Sequence, residues 1–409
     1  MKDLHNGRLY WPETLEDPHI YPSLTSNKAT TVAIIGGGMS GCICGYVLAQ
    51  SGIDVCIVER GDIAGGSTSA NTGLLQFSND IMLSELIEQI GEQDALLFYR
   101  ACRDAVVQIG EIAARLEIDV AFIPRSSLYY ASTEQDIPKL QKEYEALRSN
   151  GFDVEYWDAD EIGARYPFRK PAAIITRGDA EINPYRFVRA ITAAAAEQGA
   201  AIYEHTDVVT HVTTEKGKQH ITTSTGHVLE AEHVIYAIGY EPEELRGQLV
   251  KANMNRTYAI ATEPQHDLSP WKENMMIWET ARPYFYMRTT PDGRVLAGGQ
   301  DEELSEPVHS ESERRKRTDK LHHRIKEHFP MFTGKLEYDW TAVFGESRDN
   351  LPFIGEDPKW PNVYYCLVYG GNGTVYSIIA SQLLRNLICG EDHPIRHILR
   401  LDRPSLQNV

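Results

Sequence analysis

Three glycines and one carboxylate are the residues of this chain whose spacing speaks most directly of chemistry. Gly36, Gly38 and Gly41 follow the apolar run Val32-Ala33-Ile34-Ile35 and open a periodic helical stretch from Cys42 to Gln50, with Met39 and Ser40 between them. In a strand–turn–helix unit Gly36 lets the chain turn tightly, Gly38 lets the backbone approach a pyrophosphate, and Gly41 lets the helix pack on the sheet. The helix N-terminus then presents free N–H groups to the phosphates. Glu59 lies 23 residues beyond Gly36, at the end of the next strand, Val55-Cys-Ile-Val58. A carboxylate there accepts hydrogen bonds from the ribose hydroxyls of an adenosine and repels a 2′-phosphate, so a dinucleotide other than NADP is expected.

The elements around this unit must supply the rest of a site. With 409 residues, 42% hydrophobic and 24% charged, the chain has the composition of a globular protein and the length for two domains. A net charge of −18 argues against nucleic-acid binding, which needs a basic footprint. No run of 18 apolar residues occurs, and the first 30 residues, with Asp3, Glu13, Glu16, Asp17 and several prolines, lack a secretory apolar segment. A cytoplasmic protein with no membrane association is expected. The six cysteines form no C-x-x-C pair and have no metal-ligand spacing with histidine, so buried thiols and no metal site are expected.

Residues 1–29 are polar and rich in proline and aromatics, which suits an arm lying on the body, or else a partly disordered tail. From Asp80 to Glu117 apolar residues recur at three- and four-residue spacing, as in a helix. A strand at Ser127–Ala131 and a charged helix near Glu134–Ser149 follow. Pro184 suits the first turn of an alanine-rich helix ended by Gly199. Strands are expected at Ala201–His205 and His233–Ala237, and a hairpin at Tyr284–Thr289 and Gly293–Gly298 around Pro291-Asp292-Gly293. The stretch Glu311–Phe329 reads as a helix with an apolar stripe at Leu321, Ile325 and Phe329 and a basic, solvated face. Nucleotide-binding pieces thus recur at three places with antiparallel-looking pieces between them. The expected division is an arm at 1–29, a nucleotide domain at 30–80, 160–245 and 336–409, and a second domain at 81–159 and 246–335.

Four further segments sharpen this reading: Gly65-Gly-Ser-Thr-Ser-Ala-Asn-Thr-Gly-Leu-Leu-Gln76, Ala237-Ile-Gly-Tyr240, Asp349-Asn-Leu-Pro-Phe-Ile-Gly355 and Tyr369-Gly-Gly-Asn-Gly-Thr374. Together with the glycine turn they resemble the D-amino-acid oxidase superfamily of FAD-dependent oxidoreductases, which includes glycine, sarcosine and γ-glutamylputrescine oxidases. The similarity runs from about Thr31 to Gly390. It implies an α/β fold: a Rossmann-like FAD-binding domain of the glutathione-reductase type, interrupted by an α+β substrate domain with a largely antiparallel sheet. It also implies that Gly36, Gly38, Met39, Ser40, Gly41, Glu59 and Arg60 hold the adenosine and pyrophosphate. Ser67, Thr68, Asn71, Gly73 and Leu74 would pass the pyrophosphate and the flavin rings. Val208, or its neighbour Val209, would meet the adenine, and Gly239 would border the site. Gly370, Gly371, Asn372, Gly373 and Thr374 would bring a helix N-terminus to the flavin pyrimidine, stabilising negative charge there. Asp349 resembles the acid that orders this loop.

Two departures bear on the chemistry. Where dimethylglycine dehydrogenases carry the histidine that bonds FAD covalently, this chain has Ala70, and no cysteine lies between Phe344 and Leu351, so FAD should be held non-covalently. The arginine with which glycine and D-amino-acid oxidases hold a substrate carboxylate aligns with Phe344, and their second cationic position with Gly371. A simple α-amino acid held by those arginines is therefore not expected. Tyr258, Tyr286, Phe344 and Tyr369 are candidate substrate walls, Arg288 and Arg348 candidate anion anchors, and Trp340 is expected beneath the site. Glu279 and Glu346 would instead favour a cationic amine.

The resemblance implies hydride transfer from a C–N carbon of an amine or amino acid to flavin N5, giving an imine that water hydrolyses, with O2 or another acceptor reoxidising the flavin. The alternative is a partner-dependent flavoprotein dehydrogenase subunit with little activity alone, and a homo-oligomer is also open. An NAD-dependent dehydrogenase would use only the first unit and leave the segments at 65–76 and 369–374 without a role.

Overall fold

The run Val55–Val58 is buried at every position, as is Val363–Leu367, and neither shows the in–out alternation of a strand with one wet face. Strands buried on both sides belong to a parallel sheet covered by helices, and that is what a computed structural model of the chain shows. It describes residues 4–240 and 252–407. The expected boundary at 245/246 lies outside the described residues.

The first sheet runs in the order Phe353–Glu356, Val363–Leu367, Val228–Tyr236, Lys28–Ile35, Val55–Val58, Ala201–Tyr203. All neighbours after the first pair are parallel. The strand that leads to Gly36 therefore lies in the interior of the sheet, at the point where the chain crosses from one side to the other. The helix Met39–Gln50 packs against both Pro184–Glu197 and Gly373–Ile388 and is buried nearly all round. Gly36, at φ +114°, starts its turn where a Cβ would meet the Ala237 carbonyl oxygen at 2.3 Å.

The second, ten-stranded sheet is antiparallel apart from the pair Ile123–Tyr130 and Met276–Glu279. Its order begins His5–Gly7, Leu336–Ser347, Ala252–Thr262, Val295–Glu302, Phe285–Thr289. Three expected assignments change here. The strands Leu74–Leu75, Leu336–Ser347 and Ala172–Glu181, expected within the nucleotide domain, hydrogen-bond into this second sheet. The residues after Ser347 return to the first sheet through Phe353–Glu356.

The N-terminal arm is bound to the body. His5–Gly7 pairs with Trp340–Ala342, and Tyr10 donates to Asp292 at 3.0 Å. The helical stretch from Asp80 is two helices, Leu83–Ile90 and Glu92–Ala113, because Gly91 adopts φ +88° between them. The helix Glu311–His328 buries its apolar stripe, but its charged side is not simply solvated. Arg314 pairs with Asp339 at 2.8 Å, Arg324 with Glu279 at 2.9 Å, and Arg317 with Glu302. The guanidinium groups reach carboxylates on the sheet that the helix covers, a reach that helical periodicity does not disclose. Among the described residues no helix is long and apolar enough to cross a membrane.

Near the C-terminus Arg403 holds the turn after Leu336–Ser347. It donates to both oxygens of Asp349, at 2.6 and 2.7 Å, and to the carbonyls of Leu351 and Pro352. Burial raises the Asp349 carboxyl, but the Arg403 guanidinium outweighs it and leaves the group below its ordinary value. Arg403→Met would strand a buried carboxylate. It is expected to lower the free energy of unfolding by about 3–5 kcal/mol, measured by urea denaturation. A loss below about 1 kcal/mol would make the pair equivalent to a surface bridge.

Candidate active site

The carboxyl ends of the parallel strands face the second sheet across a cavity of about 840 Å³, a position and size typical of small-molecule sites. Of the residues expected to hold the cofactor, all but Gly41 and Asp349 line it.

Its floor is built from two helix starts. Neither Gly38, before Met39–Gln50, nor Asn372, before Gly373–Ile388, caps its helix with a side chain. Both N-termini therefore keep donors and partial positive charge for a ligand. Ser40 Oγ and Ser377 Oγ, 3.0 Å apart, tie the two helix starts together, and Thr68 Oγ1 accepts the Met39 N–H at 2.9 Å. Gly41 works from behind: a Cβ there would stand 1.9 Å from the Gly36 carbonyl oxygen. Glu59 accepts N–H groups from Gly37 and Gly61, both at 2.7 Å, which fixes its carboxylate at the cavity wall. Further acceptor positions remain on its two oxygens.

One wall is the segment 70–73, and each of its first three carbonyls is held by a buried donor. Trp340 Nε1 donates to the Ala70 carbonyl at 2.8 Å, Trp11 Nε1 to Asn71 at 2.6 Å, and Arg288 Nε to Thr72 at 2.7 Å. Asn71 Oδ1 accepts the Gly73 N–H at 2.8 Å. Gly73 sits at φ +69°, where a Cβ would meet the Ile182 carbonyl oxygen at 2.2 Å.

The opposite end is aromatic and acidic. Trp278, Tyr284, Tyr286 and Phe344 line it with Thr257, Asp80 and Asp301. Tyr286 can lie across its neighbouring strand because its partner there is Gly298, where a Cβ would fall 2.2 Å from the Tyr286 hydroxyl oxygen.

Several expected substrate contacts stand elsewhere. Tyr258 lies between Thr257 and Ala259, which both line the cavity, so strand alternation turns it to the other face. There it donates to Glu302 at 2.7 Å. Arg288 shares the face of Tyr284 and Tyr286 but is 1% exposed and lies under the 70–73 wall, 3.5 Å from Glu181. It is a support of the wall, with no place in the cavity lining. Tyr369 is buried between Tyr240 and Phe353, at ring distances of 5.2 and 5.7 Å. Arg348 is exposed outside the cavity, Glu279 is bonded to Tyr130, Ser132 and Arg324, and Asp349 is bonded to Arg403. Of the four candidate substrate walls, Tyr286 and Phe344 line the cavity, and Tyr258 and Tyr369 do not.

Asp80, Trp278, Tyr284 and Asp301 were not singled out by sequence. The Tyr284-Phe-Tyr286 alternation was the signal that could have found Tyr284. Asp80 and Asp301 carry no motif.

The chain belongs to the DAO family of FAD-dependent oxidoreductases, whose model matches residues 31–387. It is 25% identical over 378 residues to a glycine oxidase of Geobacillus kaustophilus, covering 87% of this chain and 92% of that one. It is also 25% identical over 389 residues to γ-glutamylputrescine oxidoreductase of Escherichia coli, covering 90% and 86%. A Bacillus subtilis protein described as a putative Rieske 2Fe-2S iron-sulfur protein, YhfW, is 24% identical over 412 residues, covering 98% and 77%. Among solved structures, glycine oxidase from Geobacillus kaustophilus superposes with a TM-score of 0.79 at 21% identity, covering 92% of this chain and 99% of that one. L-amino acid deaminase from Proteus vulgaris, lacking an insertion, does so at 0.79 and 18%, covering 97% and 100%. These last two likenesses are of fold.

FAD fits the residues present. Two uncapped helix starts meet at the floor, and Gly36 and Gly41 permit the close backbone packing beneath it. Ser67 Oγ, shielded from solvent at the cavity wall, has no hydrogen-bond partner among the described residues, and a buried hydroxyl is costly to leave so. Gly41→Ala is expected to raise the Kd for FAD at least about tenfold, measured by flavin fluorescence quenching. An unchanged Kd would contradict the packing role.

Proposed function

We propose that this protein oxidises a C–N bond of an amine or amino acid to an imine, with FAD bound non-covalently as the acceptor. The observation that carries the reading is the aromatic chamber of Trp278, Tyr284, Tyr286 and Phe344, which continues the same cavity as the two helix N-termini. The relatives named for glycine and γ-glutamylputrescine support an amino compound as substrate.

When bound, FAD supplies a two-electron acceptor for the hydride leaving the carbon beside nitrogen. The protein's part is to bind, orient and exclude water. Glu59 would receive the ribose hydroxyls, and Met39, Ser40, Ser67 and Thr68 would hold the pyrophosphate. The wall at 70–74 and the loop Gly370–Thr374 would border the flavin. The N-terminus of Gly373–Ile388 would favour the negative charge that arrives with the electrons. Val208 would meet the adenine, and Gly239 would border the site. Arg288 and Asp349 act at one remove: the first supports the wall, and the second anchors, through Arg403, the turn that leads to Phe353–Glu356. Ala70 and the absence of cysteine from 344–351 agree with a flavin that forms no bond to the chain.

Anaerobic mixing of the holoprotein with a panel of amines, N-methyl amino acids and D-amino acids tests this reading. Loss of the visible flavin band with one class, and its return in air or with an added acceptor, is expected. A flavin that none of them reduces would overturn C–N oxidation and leave the fold and cofactor in place.

A further inference from the structure

The chamber carries more negative charge than hydride removal requires. Asp80 follows Asn79, whose Oδ1 accepts from Tyr376 at 2.8 Å and from Asn372 at 3.2 Å, so the turn is tied to the helix start at Gly373. Asp80 Oδ2 accepts the Gly371 N–H at 2.8 Å, and a Cβ on residue 371 would fall 2.8 Å from that oxygen. Gly371 thus leaves room for this carboxylate. Tyr284 Oη stands 3.5 Å from Asp80 Oδ1.

Asp301, on the strand Val295–Glu302, also lines the chamber. Its Oδ1 is shielded from solvent and has no hydrogen-bond partner among the described residues. Glu346 lies near both and is held by Asn255 at 2.5 Å. Burial first, and then the charge of Asp80, pushes Asp301 and Glu346 each up to about 6. At neutral pH both remain mostly ionised, so they repel Asp80 and each other, Asp80 and Asp301 from the lining and Glu346 from outside it.

The counter-charge is small. Arg282 acts on Asp301 and Glu346, and its guanidinium lies over the Tyr284 ring at 4.2 Å, outside the cavity lining. Among the described lining residues the basic side chains are Arg60, beside Glu59, and His5, bonded to the Gly65 carbonyl. Asp80 and Asp301 share the lining with Trp278, Tyr284 and Tyr286, and carboxylates in an aromatic-walled cavity make a setting for an ammonium through ion pairing.

A reacting amine must be neutral to lose hydride, and two carboxylates beside it would keep its proton on. The charge they hold is therefore better placed on a second nitrogen. We propose, resting on the reading of this cavity as an amine-oxidation site, that Asp80 and Asp301 select a diamine or polyamine with a second, protonated nitrogen and disfavour a free α-carboxylate. In the half-reaction the R–CH2–NH2 end gives a hydride to FAD and a proton to water and becomes the imine. Water then converts the imine to an aldehyde and ammonium, while the second nitrogen is unchanged.

The test is a binding titration of the FAD holoprotein, followed by its flavin spectrum, with hexyltrimethylammonium against hexanoate. Anaerobic reduction by 1,4-diaminobutane, spermidine, glycine and D-alanine runs beside it. The cation is expected to bind at least about tenfold tighter than the anion. Asp301→Asn and Asp80→Asn are each expected to weaken cation binding about tenfold or more and to leave hexanoate equal or tighter, with Asp301→Glu restoring the cation. Equal binding of cation and anion would overturn the proposal, as would cation affinity kept within about twofold in both variants. If glycine or D-alanine reduces the flavin faster than the diamine, the selectivity fails while amine oxidation stands. If no amine reduces it, amine oxidation fails, and with it the proposed substrate.

Discussion

Three buried donors holding three consecutive carbonyls are the constraint on which the site depends. The backbone of residues 70–72 runs between the two sheets, where its carbonyls cannot be left to water, and unpaired buried carbonyls are costly. Trp340 from the second sheet, Trp11 from the N-terminal arm and Arg288 from the central hairpin each satisfy one of them. The three come from distant parts of the chain, so this wall acquires its shape only when the arm, both sheets and the loop are all in place. Glu181, buried 3.5 Å from Arg288, makes the guanidinium tolerable there, and Arg125 holds its other oxygen at 3.0 Å.

The rest of the cavity follows from that wall. It faces two helix starts that have no side-chain caps and are joined by the Ser40–Ser377 contact. Positive helix ends and carboxylates meet in one cavity: Asp80 is held two residues before the helix start at Gly373, with Tyr284 beside it. The same turn, Gly370–Gly373, serves both: Gly373 starts a helix, and the Gly371 N–H holds Asp80.

The parts of the site legible in sequence are those made by local backbone geometry. Gly36, Gly41, Gly73, Gly370 and Gly371 mark close approaches or turns that few other residues permit, and all but Gly41 line the cavity. The substrate end was less legible because it depends on strand parity and long-range pairing. Tyr258 reads as a wall residue until the alternation of Ala252–Thr262, interrupted by a bulge against its partner strand between Arg256 and Tyr258, turns it to the far face. Arg288 reads in sequence as a candidate anion anchor, yet its carbonyl partners are set by segments 216 and 106 residues away in sequence. Asp80 and Asp301 stand in ordinary polar surroundings, and nothing local marks the cavity they meet in. The extent of the second sheet was underestimated for the same reason, since Leu336–Ser347 chooses its neighbours through pairing with Ala252–Thr262.

If the buried clamp on residues 70–72 shapes the flavin site, its loss is read in the Kd for FAD of Arg288→Met, by flavin fluorescence on protein shown by circular dichroism to be folded. FAD binding weaker by about tenfold or more is expected, because the Thr72 carbonyl loses its donor and the wall relaxes. Folded protein that binds FAD with the original affinity would contradict it.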